Sequence, residues 1–147
     1  MNNVAREMKH LHTLAQRDPG KRFTRLWATL TSEIWLIQAW EHIRRNTGNR
    51  TPGPKGTRVA DVDLGYLRQL SQELRSGQYR PTPVRRTYIP KGNGKLRPLG
   101  IPDLKDKIVQ QALRMLLEPI FEADFRACSH GFRQGRSPHT AVVPEYS

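Results

Sequence analysis

In the text YIPKGNGKLRPLGIP, Lys91 and Arg97 flank the small turn residues Gly92, Asn93 and Gly94. Two cations held side by side can grip a multiply charged anion such as a triphosphate, so the question is whether they share a face. A two-residue Asn93-Gly94 turn would set residue 91 opposite 96 and 90 opposite 97, which separates the two side chains because faces alternate along a strand. A turn centred on Gly94 would set 91 opposite 97 and bring them together. Gly92 and Gly94 both tolerate positive φ, so the wider turn costs little strain, and the second arrangement is the expected one. These glycines are not a phosphate-binding P-loop, which requires Ser or Thr directly after its lysine, whereas Leu96 follows Lys95.

The wider neighbourhood is cationic. Between Arg75 and Arg97 lie Arg80, Arg85, Arg86, Lys91 and Lys95 and no acidic residue, the local pattern of a phosphate-facing surface. A second basic text, SHGFRQGRSPH, places Arg133 and Arg136 around glycines, offers Phe132 for stacking, and ends in Ser137-Pro138, a good helix start. Asp61 and Asp63 form a D-x-D pair, but an acidic residue before a helix more often satisfies free amides than binds metal. The histidines (His10, His12, His42, His130, His139) have no carboxylate or cysteine at ligand spacing and read as surface or capping groups. No G-x-S-x-G nucleophile elbow is present.

Composition agrees with an anionic partner. The 147 residues carry 25 Lys+Arg against 13 Asp+Glu, a formal charge of +12, with a mean hydropathy of −0.70. Such a surplus is best explained by nucleic acid, because phosphate contacts release counterions and supply affinity without a sequence motif. No run approaches the roughly 18 apolar residues of a membrane span. A single cysteine, Cys128, leaves no disulfide framework, and a reducing, cytoplasmic setting is expected.

The elements that must position these groups follow from periodicity. Helices are expected over residues 3–16 and 22–45, the second carrying Phe23, Trp27, Leu30, Ile34 and Ile37 as its core face. Residues 46–56, NTGNRTPGPKG, cannot continue a helix and read as a mobile basic loop, a linker or a lid. Asp63 should cap a helix bearing Leu64, Leu67, Leu70 and Leu74, stopped by Gly77. The extended runs VRRTYIP and LRPLGIP around Asn93-Gly94 predict a β-hairpin over residues 84–101. Asp103 with Asp106 should cap the next helix, on which Leu104, Ile108, Ala112 and Met115 share a face and which Pro119 breaks or kinks.

These residues carry a recognisable pattern. YIPKGNGKLRPLGIPD, DKIVQQALRMLLEPIFEADF and SHGFRQGRSPHTA resemble the fingers region of group II intron reverse transcriptase/maturases, and AWEHIRRNTGNRTPG is similar to that family's N-terminal extension. The resemblance spans about Trp40 to Ala141. It implies that Lys91 and Arg97 hold the incoming nucleotide's triphosphate, that Gly131, Phe132, Arg133 and Arg136 lie beside template or intron RNA, and that residues 46–57, with Arg50 and Lys55, form a lid-like loop over the template. Arg85, Arg86 and Lys95 are expected RNA contacts. In that loop the glycine pair brackets Pro54-Lys55 where the family has a hydrophobic residue and Asp.

The expectation is an α+β chain: a helical N-terminal extension and basic loop over 1–57, then a partial reverse-transcriptase fingers domain over 58–147. No tyrosine is followed by Asp-Asp, so the magnesium-binding palm carboxylates that the family uses for RNA-directed DNA synthesis are expected to lie outside these residues. The chain alone is then expected to hold no cofactor and no catalytic residue, and to bind RNA and a deoxynucleoside triphosphate. Self-association or a second chain supplying the palm is expected through an apolar patch of Leu113, Met115, Leu116, Leu117, Ile120 and Phe121. A free-standing, non-catalytic RNA-binding or maturase-like module is the alternative, and a decayed gene product a third.

Overall fold

A computed structural model describes residues 2–142, apart from the side chains of residues 49 and 50. The expected contact by Arg50 and the tail from residue 143 therefore lie outside the described residues. The elements are α1 (Asn3–Arg17), α2 (Leu26–Leu30), α3 (Glu33–Arg45), α4 (Leu64–Arg75), β1 (Arg85–Pro90), β2 (Leu96–Ile101), α5 (Leu104–Glu122) and α6 (Pro138–Val142). Helices with a single antiparallel hairpin make this the expected α+β chain. Residues fall into two compact units, 23–116 and 1–22 with 117–147, so α5 serves the first up to Leu116 and the second beyond it. The loop of residues 46–57 lies within the larger one.

In the larger unit the helix expected over 22–45 is interrupted. Arg25 takes a left-handed φ of 63°, α2 ends at Leu30, and the Ser32 hydroxyl accepts the Trp35 amide at 3.3 Å to start α3 afresh. The restart shifts the helical phase, and with it the buried face. Trp27 and Ile34, expected inside, are 56% and 61% exposed, while Trp35, Leu36, Ala39, Trp40 and Ile43 are buried. They meet Leu67, Leu70 and Leu74 of α4 and Leu104, Ile108, Ala112 and Met115 of α5 in one core. Polar atoms inside it are paired: Trp35 Nε1 donates to Ala112 O at 2.9 Å and Ser71 Oγ to Thr31 O at 2.5 Å.

α4 follows its sequence signals. Asp63 Oδ1 accepts the Tyr66 amide at 2.7 Å, and Gly77, at φ 71°, lets the chain turn away. Asp61 Oδ2 accepts the Arg58 amide at 2.7 Å, so both members of the D-x-D pair cap local backbone. The reciprocal cap expected of Asp103 and Asp106 forms only in part. Asp103 Oδ2 accepts the Lys105 amide at 3.3 Å, but the Asp106 carboxylate is taken by the Tyr79 hydroxyl and, at 3.0 Å, by the Thr82 amide. A buried carboxylate needs donors, and those of the segment entering the hairpin are the ones that reach it.

In the smaller unit Val4, Leu11 and Ala15 line the buried face of α1. Pro119 does not end α5, which runs on to Glu122, and His12 donates its Nδ1 hydrogen to the Pro119 carbonyl at 2.9 Å. Of the expected apolar patch, Met115 and Leu116 are buried, Ile120 is half-buried, and Leu113, Leu117 and Phe121 are exposed. The run is helical, so residues at i+2 and i+3 turn inward while those at i, i+4 and i+8 stay outside. Among the described residues no helix is long and apolar enough to cross a membrane.

Candidate nucleic-acid interface

The hairpin adopts neither register anticipated from its turn residues. β1 and β2 pair Ile89 with Arg97 and Pro90 with Leu96, which leaves a three-residue connection of Gly92, Asn93 and Gly94. Lys91 N donates to Lys95 O at 2.6 Å, Gly94 N to Lys91 O at 3.1 Å, and Gly94 sits at φ 76°. This is the turn-plus-left-handed-residue closure that three-residue hairpins favour, with the Asn93 side chain accepting the Lys95 amide at 3.2 Å instead of occupying a two-residue turn. The expected pairing of 91 with 97 is thereby corrected, for Lys91 opposes Lys95.

The change of register preserves the shared face. Alternation outward from the Ile89–Arg97 pair puts Lys91, Lys95 and Arg97 on one side with Arg85, and Arg86, Tyr88 and Leu96 on the other. Lys91 and Arg97 are diagonal neighbours, about 7–8 Å apart at the backbone and within reach of one polyphosphate. Each of Arg85, Arg86, Lys91, Lys95 and Arg97 is exposed and has no side-chain partner among the described residues. Hydrated at that spacing, the two cations repel by only about 0.5 kcal/mol, which an anion between them reverses.

In the loop beside the hairpin, residues 53–57 are anchored at both ends. A Cβ on Gly53 would stand 2.6 Å from Asp103 Cα and from Pro102 O, so only glycine permits this approach. Thr57 Oγ1 lies 3.4 Å from both oxygens of the buried Asp103 carboxylate, to which it donates. Between these anchors Gly56 N donates to Gly53 O at 3.2 Å, and Lys55 is exposed at the turn. A cleft of about 510 Å³ opens between this loop and the end of β2, lined by Thr47, Thr51, Gly100, Ile101, Pro102 and Lys107. Burial pushes the Lys107 ammonium below its usual range, against the opposing pull of Asp103. Lys107 escaped sequence reading because it lies in a helix with no basic run, and only the fold turns it into the cleft.

The SHGFRQGRSPH segment divides its roles. Arg133, read as an RNA contact, has its guanidinium committed within the fold. Nε and Nη2 donate to Glu122 Oε1 at 3.1 and 2.6 Å, and Nη1 donates to Arg126 O and Ser129 O at 2.9 and 2.7 Å. The guanidinium holds the Glu122 carboxyl below its ordinary range and lies over the Phe125 ring. Arg136 Nη1 donates to Ala127 O at 3.1 Å. Gly131 and Phe132 are exposed, and Ser137 starts α6 as expected, its Oγ accepting the Thr140 amide at 3.3 Å.

Among the described residues no three His, Cys, Asp or Glu side chains are grouped to hold a metal. Asp103 and Asp106 instead accept donors from the chain itself. These residues do not fit a magnesium site.

Comparison with known proteins supplies the lineage. The chain is 44% identical over 142 residues to Protein YkfC of Escherichia coli K12, matching 95% of this chain and 37% of that protein. It is 40% identical over 129 residues to the group II intron-encoded protein LtrA of Lactococcus lactis, matching 87% of this chain and 22% of the relative. The chain is related to the group II intron-encoded proteins. A putative COX1/OXI3 intron 1 protein of Saccharomyces cerevisiae is 39% identical over 107 residues, 73% of this chain and 13% of the relative. No family model matches the chain. The chain thus spans about a third of the bacterial protein YkfC and about a fifth of LtrA.

Proposed function

We propose that this group II intron-type chain is a fingers-type nucleic-acid binder. It engages RNA through the exposed cations of its hairpin and adjoining loop, and a deoxynucleoside triphosphate through Lys91 and Arg97. The observation that carries the reading is the hairpin face bearing Lys91, Lys95 and Arg97, all exposed and without side-chain partners among the described residues. Arg85, Arg86, Lys55 and the cleft lysine Lys107 extend the cationic surface over the larger unit. Cations left unpaired by their own fold are what counterion-releasing phosphate contacts require.

Relatives named as intron-encoded or intron proteins, 34–40% identical over 107–129 residues, support an RNA partner. For the residues present, the proposed role is holding template, intron RNA or nucleotide, with no polymerising step assigned to any of them. The free-standing RNA-binding module makes the same demand on the hairpin and differs only in lacking nucleotide affinity.

The test is direct titration of RNA into the chain at several salt concentrations. Affinity should fall linearly in a log–log plot, and replacing Arg85 and Arg86 together should lower both affinity and the salt slope without regard to RNA sequence. A slope near zero overturns RNA binding through phosphates. Nucleotide binding insensitive to Lys91 and Arg97 overturns the triphosphate assignment.

A further inference from the structure

Phe132 is the most exposed large apolar residue described, at 108% of its reference area, and its backbone sits at φ 58°. Residues with a β-carbon avoid that left-handed region, and bulky ones more so. Such a conformation persists only where its surroundings over-determine it. Arg133 supplies that constraint: its fork on Glu122 ties the turn to the end of α5, and its Nη1 ties it to the Arg126 and Ser129 carbonyls. Its side chain is 9% exposed. Gly131, before the ring, has nothing within 4 Å of where a Cβ would stand, and Gly135 beyond it turns at φ 72°. No neighbouring side chain on these glycines screens the ring.

We propose that Phe132 is a stacking platform for an unpaired nucleobase, positioned by Arg133, and that it gives the chain a preference for single-stranded over duplex RNA. The inference rests on the RNA-binding reading above. Phe132 is the sole apolar side chain between Ser129 and Ser137, amid His130, Arg133, Gln134 and Arg136. A surface meant for another protein segment would present contiguous apolar area, whereas an exposed ring alone among polar residues and glycines in its segment suits the face of a single base. Bases inside a duplex offer no free face, while loops, bulges and ends do.

The test compares binding of the 147-residue chain to a single-stranded RNA carrying 2-aminopurine with binding to the same sequence as a duplex. Phe132→Asn suits a left-handed backbone and keeps the turn, so it should weaken single-strand binding about tenfold, leave duplex binding unchanged and abolish the aminopurine quenching. Phe132→Trp should retain all three properties. Arg133→Lys keeps the charge but not the fork, and should reduce quenching and single-strand affinity together. Equal losses on both RNAs, or none on either, overturn the proposal. So does loss of self-association in Phe132→Asn without a change in RNA binding, which would mean that the ring docks on protein. If the unaltered chain binds neither RNA, the RNA-binding reading itself has failed, whereas binding without discrimination sinks only the stacking.

Discussion

The Tyr79 hydroxyl donates to the carboxylate of Asp106, which is 4% exposed and also accepts the Thr82 amide at 3.0 Å. One buried side chain on α5 thus fixes the segment that enters the hairpin. Three residues back, Asp103 secures the basic loop through Thr57. The two cationic elements of the larger unit are rooted in the same turn of helix.

Removing that root should cost more than removing one donor. Asp106→Ala strands the Tyr79 hydroxyl and the Thr82 amide, and is expected to cost about 2–4 kcal/mol, against about 1 kcal/mol for Tyr79→Phe. Urea unfolding of the two variants checks the order. Equal midpoints would show that the carboxylate is not the anchor.

Gly53→Ala would push a methyl into the Pro102 carbonyl and Asp103 Cα, both backbone atoms that cannot rotate away. A loss of about 1–3 kcal/mol is expected, read as a lowered Tm. Gly48→Ala, where a Cβ would meet nothing, should leave Tm nearly unchanged.

The hairpin register makes a directional prediction about nucleotide. Lys91→Ala and Arg97→Ala should each weaken triphosphate binding by about 1.5–3 kcal/mol, with strong coupling in the double variant. Arg86→Ala, on the opposite face, should leave nucleotide affinity alone and weaken RNA. Fluorescent-nucleotide titration separates the outcomes, and additive effects of Lys91 and Arg97 would mean that they do not grip one anion.

Tyr66 links stability to alkaline pH. Burial, reinforced by Asp103 and Glu73, raises its phenol from 10.0 to about 12. A raised folded-state value means that the neutral phenol is retained in the fold and lost first in the unfolded chain. The stabilisation is therefore complete below pH 10 and disappears as pH rises from 10 to about 12. Stability measured across that window should fall less steeply in Tyr66→Phe.

Local signals were legible in the sequence wherever a short segment settles its own geometry. Asp63 capping α4, Gly77 ending it, Ser137 opening α6 and the existence of the hairpin depend on groups a few residues apart, and the motif texts carried the family. The excess of cations and their clustering from Arg75 to Arg97 are properties of composition, fixed before any folding. What tertiary structure decided was phase, register and commitment. The Arg25 and Ser32 break rotated α3 so that Trp35 and Trp40, not Trp27 and Ile34, reached the core, because burial depends on which face meets α4 and α5. Gly94 took the left-handed position in a three-residue connection, which paired Lys91 with Lys95 yet kept Arg97 on its face. Arg133 and Arg86 look alike as letters. Only packing spends the first on Glu122 and leaves the second to solvent, because a charge is free or committed according to what long-range folding brings within hydrogen-bond reach.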